Sequence, residues 1–233
     1  MIRRIIRTIK LRWVKASSSR YINYLRKEGA VIGNNCHIDP KTSLIDMTRP
    51  SLITNGDDVY MNSNFTLLTH DFVSGVFIRS GFSFLPSSGK VKIGNNVRFG
   101  RDVMILKNVQ IGDNVFIGAN SVVNKDIPSN SIAVGNPCKV VKSLEEFYKI
   151  RIEKCVEEAF EYARSIKERF GRIPVASDFG EEFPLFVDGA DVHKYPMIPI
   201  KRQLGPAYEQ YCKNHIAKFK GLEEFLKAAG VYE

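Results

Sequence analysis

The sequence predicts a mainly-β fold: a three-sided prism of stacked parallel coils with one ejected loop and a helical tail. Three observations carry this. From residue 93 every sixth residue is bulky and apolar (Ile93, Phe99, Ile105, Ile111, Ile117, Val123), and a second series runs four residues behind it (Val97, Val103, Val109, Val115, Ser121, Ile127). Between Thr69 and Lys90 that pattern vanishes. After residue 142 the spacing of apolar residues becomes helical. A period of six fits neither an amphipathic helix nor an alternating strand, whereas six residues make one short extended side and a corner. Three sides close a coil of about 18 residues, and coils stack at roughly 4.8 Å.

The chain begins with a basic arm, residues 1–30. Net charge is +9 over 233 residues, and the arm holds nine basic residues against Glu28 alone. The remaining body is nearly neutral, which argues against a nucleic-acid protein, whose folded body carries the basic face. In MIRRIIRTIKLRWVK, the residues Ile2, Ile5, Ile6, Ile9 and Trp13 recur at helical spacing among arginines and lysines. Residues 1–15 therefore read either as a helix on an anionic membrane surface or as one packed on the protein's own body or a neighbouring subunit. Cosedimentation with anionic liposomes separates the two. No apolar run of 18 residues occurs, and no signal-peptide pattern opens the chain. Four scattered cysteines without a CxxC pair read as reduced thiols. The expected location is cytoplasmic, at the inner membrane face if the arm binds lipid.

The prism is expected over residues 31–142. Its upstream coils are less regular: Ile32, Ile38 and Leu44 are spaced by six, then Met61 and Leu67 in one series and Val59 and Phe65 in the other. The bulky member of each hexad should point inward, with glycine or asparagine at corners that need positive φ. Residues 70–90 read as a loop ejected from the prism, and long loops on rigid scaffolds carry function. Residues 143–233 form a helical extension. Ser143 and Glu146 make a capping box, Gly171 a C-cap, and Leu144, Phe147, Ile152, Cys155, Val156, Ala159, Phe160, Ala163, Ile166 and Phe170 a broad apolar stripe between them. An irregular segment over 172–203, a helix from Pro206 to about Lys218, and another over 222–229 complete the tail.

Three stretches, NGDDVYMNSNFTLLTHD, VKIGNNVRFGRDVMI and QIGDNVFIGANSVVNKDIPSNSIAVGNPCKVVK, resemble the hexapeptide-repeat acyltransferases. Within that family the chain looks most like the branch of maltose, galactoside and surface-polysaccharide O-acetyltransferases. The resemblance covers about residues 31–142. It implies a left-handed parallel β-helix, a homotrimer with sites shared between subunits, acetyl-CoA as co-substrate without a metal, and a saccharide acceptor.

Acetyl transfer to a hydroxyl needs a base, an oxyanion donor and a grip on coenzyme A. His70, in LLTHD, matches the family's catalytic histidine, and an imidazole's ordinary pKa near 6.5 suits a base at neutral pH. His37, His193 and His215 read as structural or solvent-facing. Asp71 is adjacent to His70, but neighbours in extended chain point apart, so a backbone carbonyl is as good an orienting partner. On the acceptor side the resemblance implies Asp46, with Asn62 and Asn64 as polar candidates and Arg98 as a departure where relatives carry tryptophan. For coenzyme A it implies Gly100, Arg101, Ala119, Asn124, Lys125, Lys139 and Lys142. Arg98 and Arg101 fit either an acidic acceptor or coenzyme A phosphates.

The alternative chemistry is N-acetylation of an amino sugar, a nucleotide-linked amino sugar or a xenobiotic, which the same histidine serves. A zinc hydrolyase on this fold needs three converging histidines, and the HxxxxH pair is missing. A non-catalytic scaffold does not account for His70 beside an intact GNPCKVVK ending.

Overall fold

The computed structural model describes residues 13–232; the amphipathic helix expected over residues 1–15 lies almost wholly outside them. The described residues divide into two compact units, with the boundary between Tyr148 and Lys149.

The first unit is a parallel β-helix. Its first coil contains β1 (Val31–Ile32), β2 (His37–Ile38) and β3 (Leu44–Ile45); its second β4 (Ile53–Asn55), β5 (Tyr60–Met61) and β6 (Thr66–Leu67). The third holds β7 (Val91–Ile93), β8 (Val97–Phe99) and β9 (Met104–Ile105), and the fourth β10 (Val109–Ile111), β11 (Val115–Ile117) and β12 (Val122–Val123). The first face is β1-β4-β7-β10, the third β3-β6-β9-β12, and the second runs β2-β5-β8-β11 before β13 (Ser131–Val134) and the antiparallel β14 (Lys139–Ser143) close it. Pairing Val91 with Val109, Val97 with Val115 and Met104 with Val122 fixes an 18-residue coil. Tyr60 pairs with Arg98 and Thr66 with Met104, 38 apart, so twenty extra residues leave the prism between coils two and three. Coils one and two are offset by 22–23 residues, because residues 46–52 form a longer corner that includes a 3-10 turn, Pro50–Leu52.

Every member of both hexad series from Ile93 to Ile127 is buried, as are Ile32, Ile38, Val59, Met61, Phe65 and Leu67. Leu44 differs: it is 55% exposed and Ile45, at 6%, faces inward instead. The corner between β2 and β3 is one residue longer than its counterpart between β5 and β6, which shifts the phase by one and turns the side chain over.

Corner chemistry also divides differently from the expectation. Positive φ belongs to asparagine and aspartate: Asn96, Asp102, Asn108, Asn114 and Asn120 recur at intervals of six in the left-handed region. Asn96 donates through Nδ2 to Asn114 Oδ1 (2.9 Å), and Asn114 likewise to Asn130 (3.0 Å), a ladder along one edge. Gly94 does not have positive φ; it is glycine because the next coil lies on it. A Cβ there would meet Asp113 Oδ1 at 2.4 Å and the Gly112 backbone at 2.7 Å. Gly94→Ala therefore separates two coils, and unfolding in urea is expected to show a loss of about 1–3 kcal/mol; unchanged stability would contradict the close-stacking account.

The helix α1 (Ser18–Lys27) closes the first end of this unit. Tyr21, Ile22 and Leu25 join the core formed by Ile32, Ile38 and Ile45, and the Ser18 hydroxyl accepts from the Ile38 amide at 2.9 Å. Within the ejected loop a short helix, α2 (Ser74–Arg79), interrupts what reads in the sequence as irregular chain.

Helix α3 (Leu144–Phe170) starts at the expected capping box: Ser143 Oγ accepts from the Glu146 amide and Glu146 Oε2 from the Ser143 amide. It ends at Gly171, φ +64°. Of its expected apolar stripe only Ala159, Ala163 and Ile166 are buried, while Leu144, Ile152 and Phe170 are exposed. The second unit packs Ala159 and Ala163 with Phe179, Phe183, Phe186, Ile198, Phe225 and Leu226 into its own core. The segment 172–203 is a succession of 3-10 turns leading into α4 (Ile200–Leu204). The helix expected from Pro206 begins two residues later as α5 (Tyr208–Asn214), and α6 (Leu222–Ala228) follows.

Candidate active site

The third corner of coil two, where β6 ends, gathers the chemically interesting groups. Backbone pairing carries β6 on past Leu67: Leu68 donates to Ile105 O, and Gly89, returning from the loop, donates to Thr69 O. Thr69 is fully buried. His70 is the first residue to leave the prism, bridging antiparallel to Ser88, so its ring stands at the root of the loop.

That root is tied on several sides. Lys107 Nζ sits 2.6 Å from Asp71 Oδ2 and also bonds Ser87, whose hydroxyl donates to the same Asp71 oxygen at 2.8 Å. The Lys107 and Ser87 hydrogen bonds hold the Asp71 carboxyl down to about 2. Further out, the Ser74 hydroxyl bonds both the N–H and the C=O of Leu85. Asp71 thus clamps the loop and does not face His70, as adjacency in extended chain predicts.

The orienting partner comes from the coil below. Asp46 Oδ2 lies 2.5 Å from His70 Nδ1. The same oxygen accepts from the Thr69 amide (3.1 Å) and hydroxyl (2.5 Å), while Oδ1 accepts from the Thr48 amide (2.9 Å) and hydroxyl (2.6 Å). Burial pushes this carboxyl up, but the hydrogen bonds from Thr48, Thr69 and His70 outweigh it and hold the group well below the usual carboxylate range. The carboxylate is ionised, so Nδ1 is assigned the proton and Nε2 the lone pair. No protein group bonds Nε2 among the described residues. The ring of Phe72, 85% exposed, stands edge-on to the imidazole at 5.3 Å.

Asp46 differs from the sequence expectation. It is 5% exposed and both oxygens are filled, so it supports His70 from behind and presents nothing to an acceptor. Asn62 and Asn64 are also placed away from His70, at the corner on the other end of β6. Asn62 Oδ1 accepts from the Ser63 amide, and Asn64, at φ +61°, donates to Asp102. Arg98 projects from the second face between Tyr60 and Phe116, its guanidinium bonded to the Asp58 carbonyl.

The residues assigned to coenzyme A occupy three places. Gly100, Arg101 and Ala119 lie at the second corner, where a Cβ on Gly100 would meet Ala119 N at 2.6 Å. Asn124 and Lys125 are exposed at the third corner, two coils beyond His70 and so roughly 10 Å along the axis. Lys139 and Lys142 are exposed on β14. The other histidines have local partners: His37 stacks on Tyr60, His193 bonds Ala190 O, and His215 bonds Pro184 O. Thr48, Thr69, Arg49 and Lys107 belong to the site and carry no sequence signal, because a threonine or lysine at a corner is unremarkable until the coils are stacked. No group of three His, Cys, Asp or Glu side chains able to hold a metal occurs among the described residues, and no helix there is long and apolar enough to cross a membrane.

A β-helix of six-residue sides with a carboxylate-backed imidazole at the mouth of an ejected loop defines a transferase of the hexapeptide class. Residues 90–125 match the family model described as bacterial transferase hexapeptide (six repeats). Protein CapG of Staphylococcus aureus is 35% identical over 158 residues, 67% of this chain and 88% of its own length. A galactoside acetyltransferase in complex with coenzyme A aligns at 27% identity over 62% of this chain and 82% of that one, TM-score 0.46. A maltose O-acetyltransferase from Clostridium difficile 630 aligns at 29% identity over 57% and 81%, TM-score 0.42. This chain belongs to the hexapeptide-repeat acyltransferase family and has its left-handed parallel β-helix.

Proposed function

We propose that the protein is an acetyl-CoA-dependent O-acetyltransferase acting on a hydroxyl of a saccharide, a surface polysaccharide or its precursor, as a homotrimer. The observation that carries this reading is the Asp46–His70 pair with Nε2 unengaged at the loop mouth. A neutral imidazole so held accepts a proton on one nitrogen while its other N–H stays on a buried carboxylate, which stabilises the imidazolium that forms.

The transfer is direct. Nε2 takes the proton of the sugar hydroxyl as that oxygen bonds the thioester carbon, and a backbone N–H stabilises the resulting oxyanion. Collapse breaks the carbon–sulfur bond, and the imidazolium returns its proton to the leaving thiolate. Asn124 and Lys125, on the same edge as His70, together with Lys139 and Lys142 support the binding of coenzyme A phosphates, lysine serving as a point charge. Gly100, Arg101 and Ala119, on another corner, fit a cofactor groove completed by a neighbouring subunit.

Thiol release from acetyl-CoA, measured with a panel of neutral, acidic and amino sugars, tests the proposal, with light scattering giving the mass of the assembly. Turnover with hydroxyl acceptors lacking an amine is expected. Release only with amino sugars would move the assignment to N-acetylation, and release with none would remove it.

A further inference from the structure

Among the described residues, one cation beside His70 has no protein anion to serve. Arg49 lies in the long corner of coil one, just before its Pro50–Leu52 turn. Its Nη1 donates to Thr48 Oγ1 at 3.1 Å. That hydroxyl donates in turn to Asp46 Oδ1 and lies 3.4 Å from His70 Nδ1. The guanidinium is therefore two hydrogen-bond lengths from the imidazole.

Asp46 cannot take this charge directly, because five donors already fill its two oxygens. The other nearby cation, Lys107, is neutralised by Asp71. Among the described residues no carboxylate comes within ion-pair range of Arg49, which leaves most of a rigid planar fork of donors unpaired. Such a fork matches a carboxylate or phosphate in two-point geometry. The residues assigned to coenzyme A phosphates do not compete for it: Lys125 lies on the same edge three coils away, roughly 14 Å.

We propose that Arg49 binds an anionic substituent of the acceptor, so that the substrate is an acidic saccharide bearing a carboxylate or phosphate near the acetylated hydroxyl. This rests on the acetyl-transfer reading above and narrows its acceptor class; Arg98 and Arg101, placed at other parts of the prism, do not serve here.

The test compares matched acceptors at saturating acetyl-CoA: galactose, galacturonic acid and galactose 6-phosphate, and the same three forms of glucose, each read as kcat/KM by thiol release. The wild-type protein is expected to prefer an acidic member over its neutral counterpart, and which acid is preferred identifies the anion. In Arg49→Gln that preference ratio should fall by about 10–100-fold, the range for a lost charge-assisted hydrogen bond, with Arg49→Lys between the two. A wild type indifferent to the acid, or a ratio unchanged in Arg49→Gln, overturns the assignment. So does a rise in KM confined to acetyl-CoA. A panel silent with every sugar, neutral or acidic, removes the acetyl-transfer reading itself, an outcome distinct from activity without acid preference.

Discussion

Replacing His70 with alanine is expected to lower kcat by roughly 10²–10⁴-fold while the protein remains folded. The size follows from the proposed role, in which the imidazole carries the proton from the acceptor hydroxyl to the leaving thiol. Folding should survive because His70 lies outside the packed prism. The inward-facing residues on either side of the corner, Leu67 and Val91, keep the coils together, and Asp71, Lys107 and Ser87 still tie the loop root. A well-folded His70→Ala protein turning over at near the parental rate would exclude the base assignment. Urea unfolding alongside the rate separates lost chemistry from lost structure.

Asp46→Asn should cost both activity and stability, for one geometric reason. Each carboxylate oxygen accepts from a backbone amide, Oδ1 from Thr48 and Oδ2 from Thr69. An asparagine supplies one acceptor and one donor, so in either orientation its NH2 group faces a backbone N–H. About 1–3 kcal/mol of stability is expected to go with the unsatisfied pair. The same change frees His70 from its tautomer, and a loss of roughly 10²–10⁴ in kcat is expected, as when the carboxylate behind a catalytic imidazole is removed. Its acid response is a second signature. The native carboxyl titrates below its unfolded value of about 3.9, so its stabilisation is fully present above that pH. It is lost as pH falls from there through the native value. Wild type and Asp46→Asn should therefore converge in stability only below about pH 3.9; a constant difference down to pH 2 would show that the carboxylate is not held ionised.

The repeat was readable because burial repeats with the coil: each inward position recurs every six residues, and Ile93 through Ile127 obey it without a break. Leu44 misled because a single added corner residue changes phase invisibly when no later hexad in that coil resets it. Glycines at 94, 100, 112 and 118 announced a constraint, but its nature, contact between coils as against positive φ, depends on what stacks above them.

His70 stands out in the sequence through its match to the family's catalytic histidine, at the point where the repeat breaks into the loop. Its partner is not legible there: the resemblance puts Asp46 on the acceptor side, and Asp46 stands 24 residues away across a coil whose length departs from 18. The long corner that spoils the register also delivers Thr48 and Arg49. Sequence spacing hides a site most where the repeat is irregular, and here the irregular corners, 46–52 and 70–90, are where the polar groups converge.

The central claim is that the loop mouth at His70 receives the thioester. A crystal structure of the protein with coenzyme A measures this directly. The account predicts the thiol sulfur within about 5 Å of His70 Nε2, with Nδ1 still on Asp46 and the phosphates toward Lys125, Lys139 and Lys142. A pantetheine chain ending elsewhere on the prism, with Nε2 facing only solvent, would contradict it.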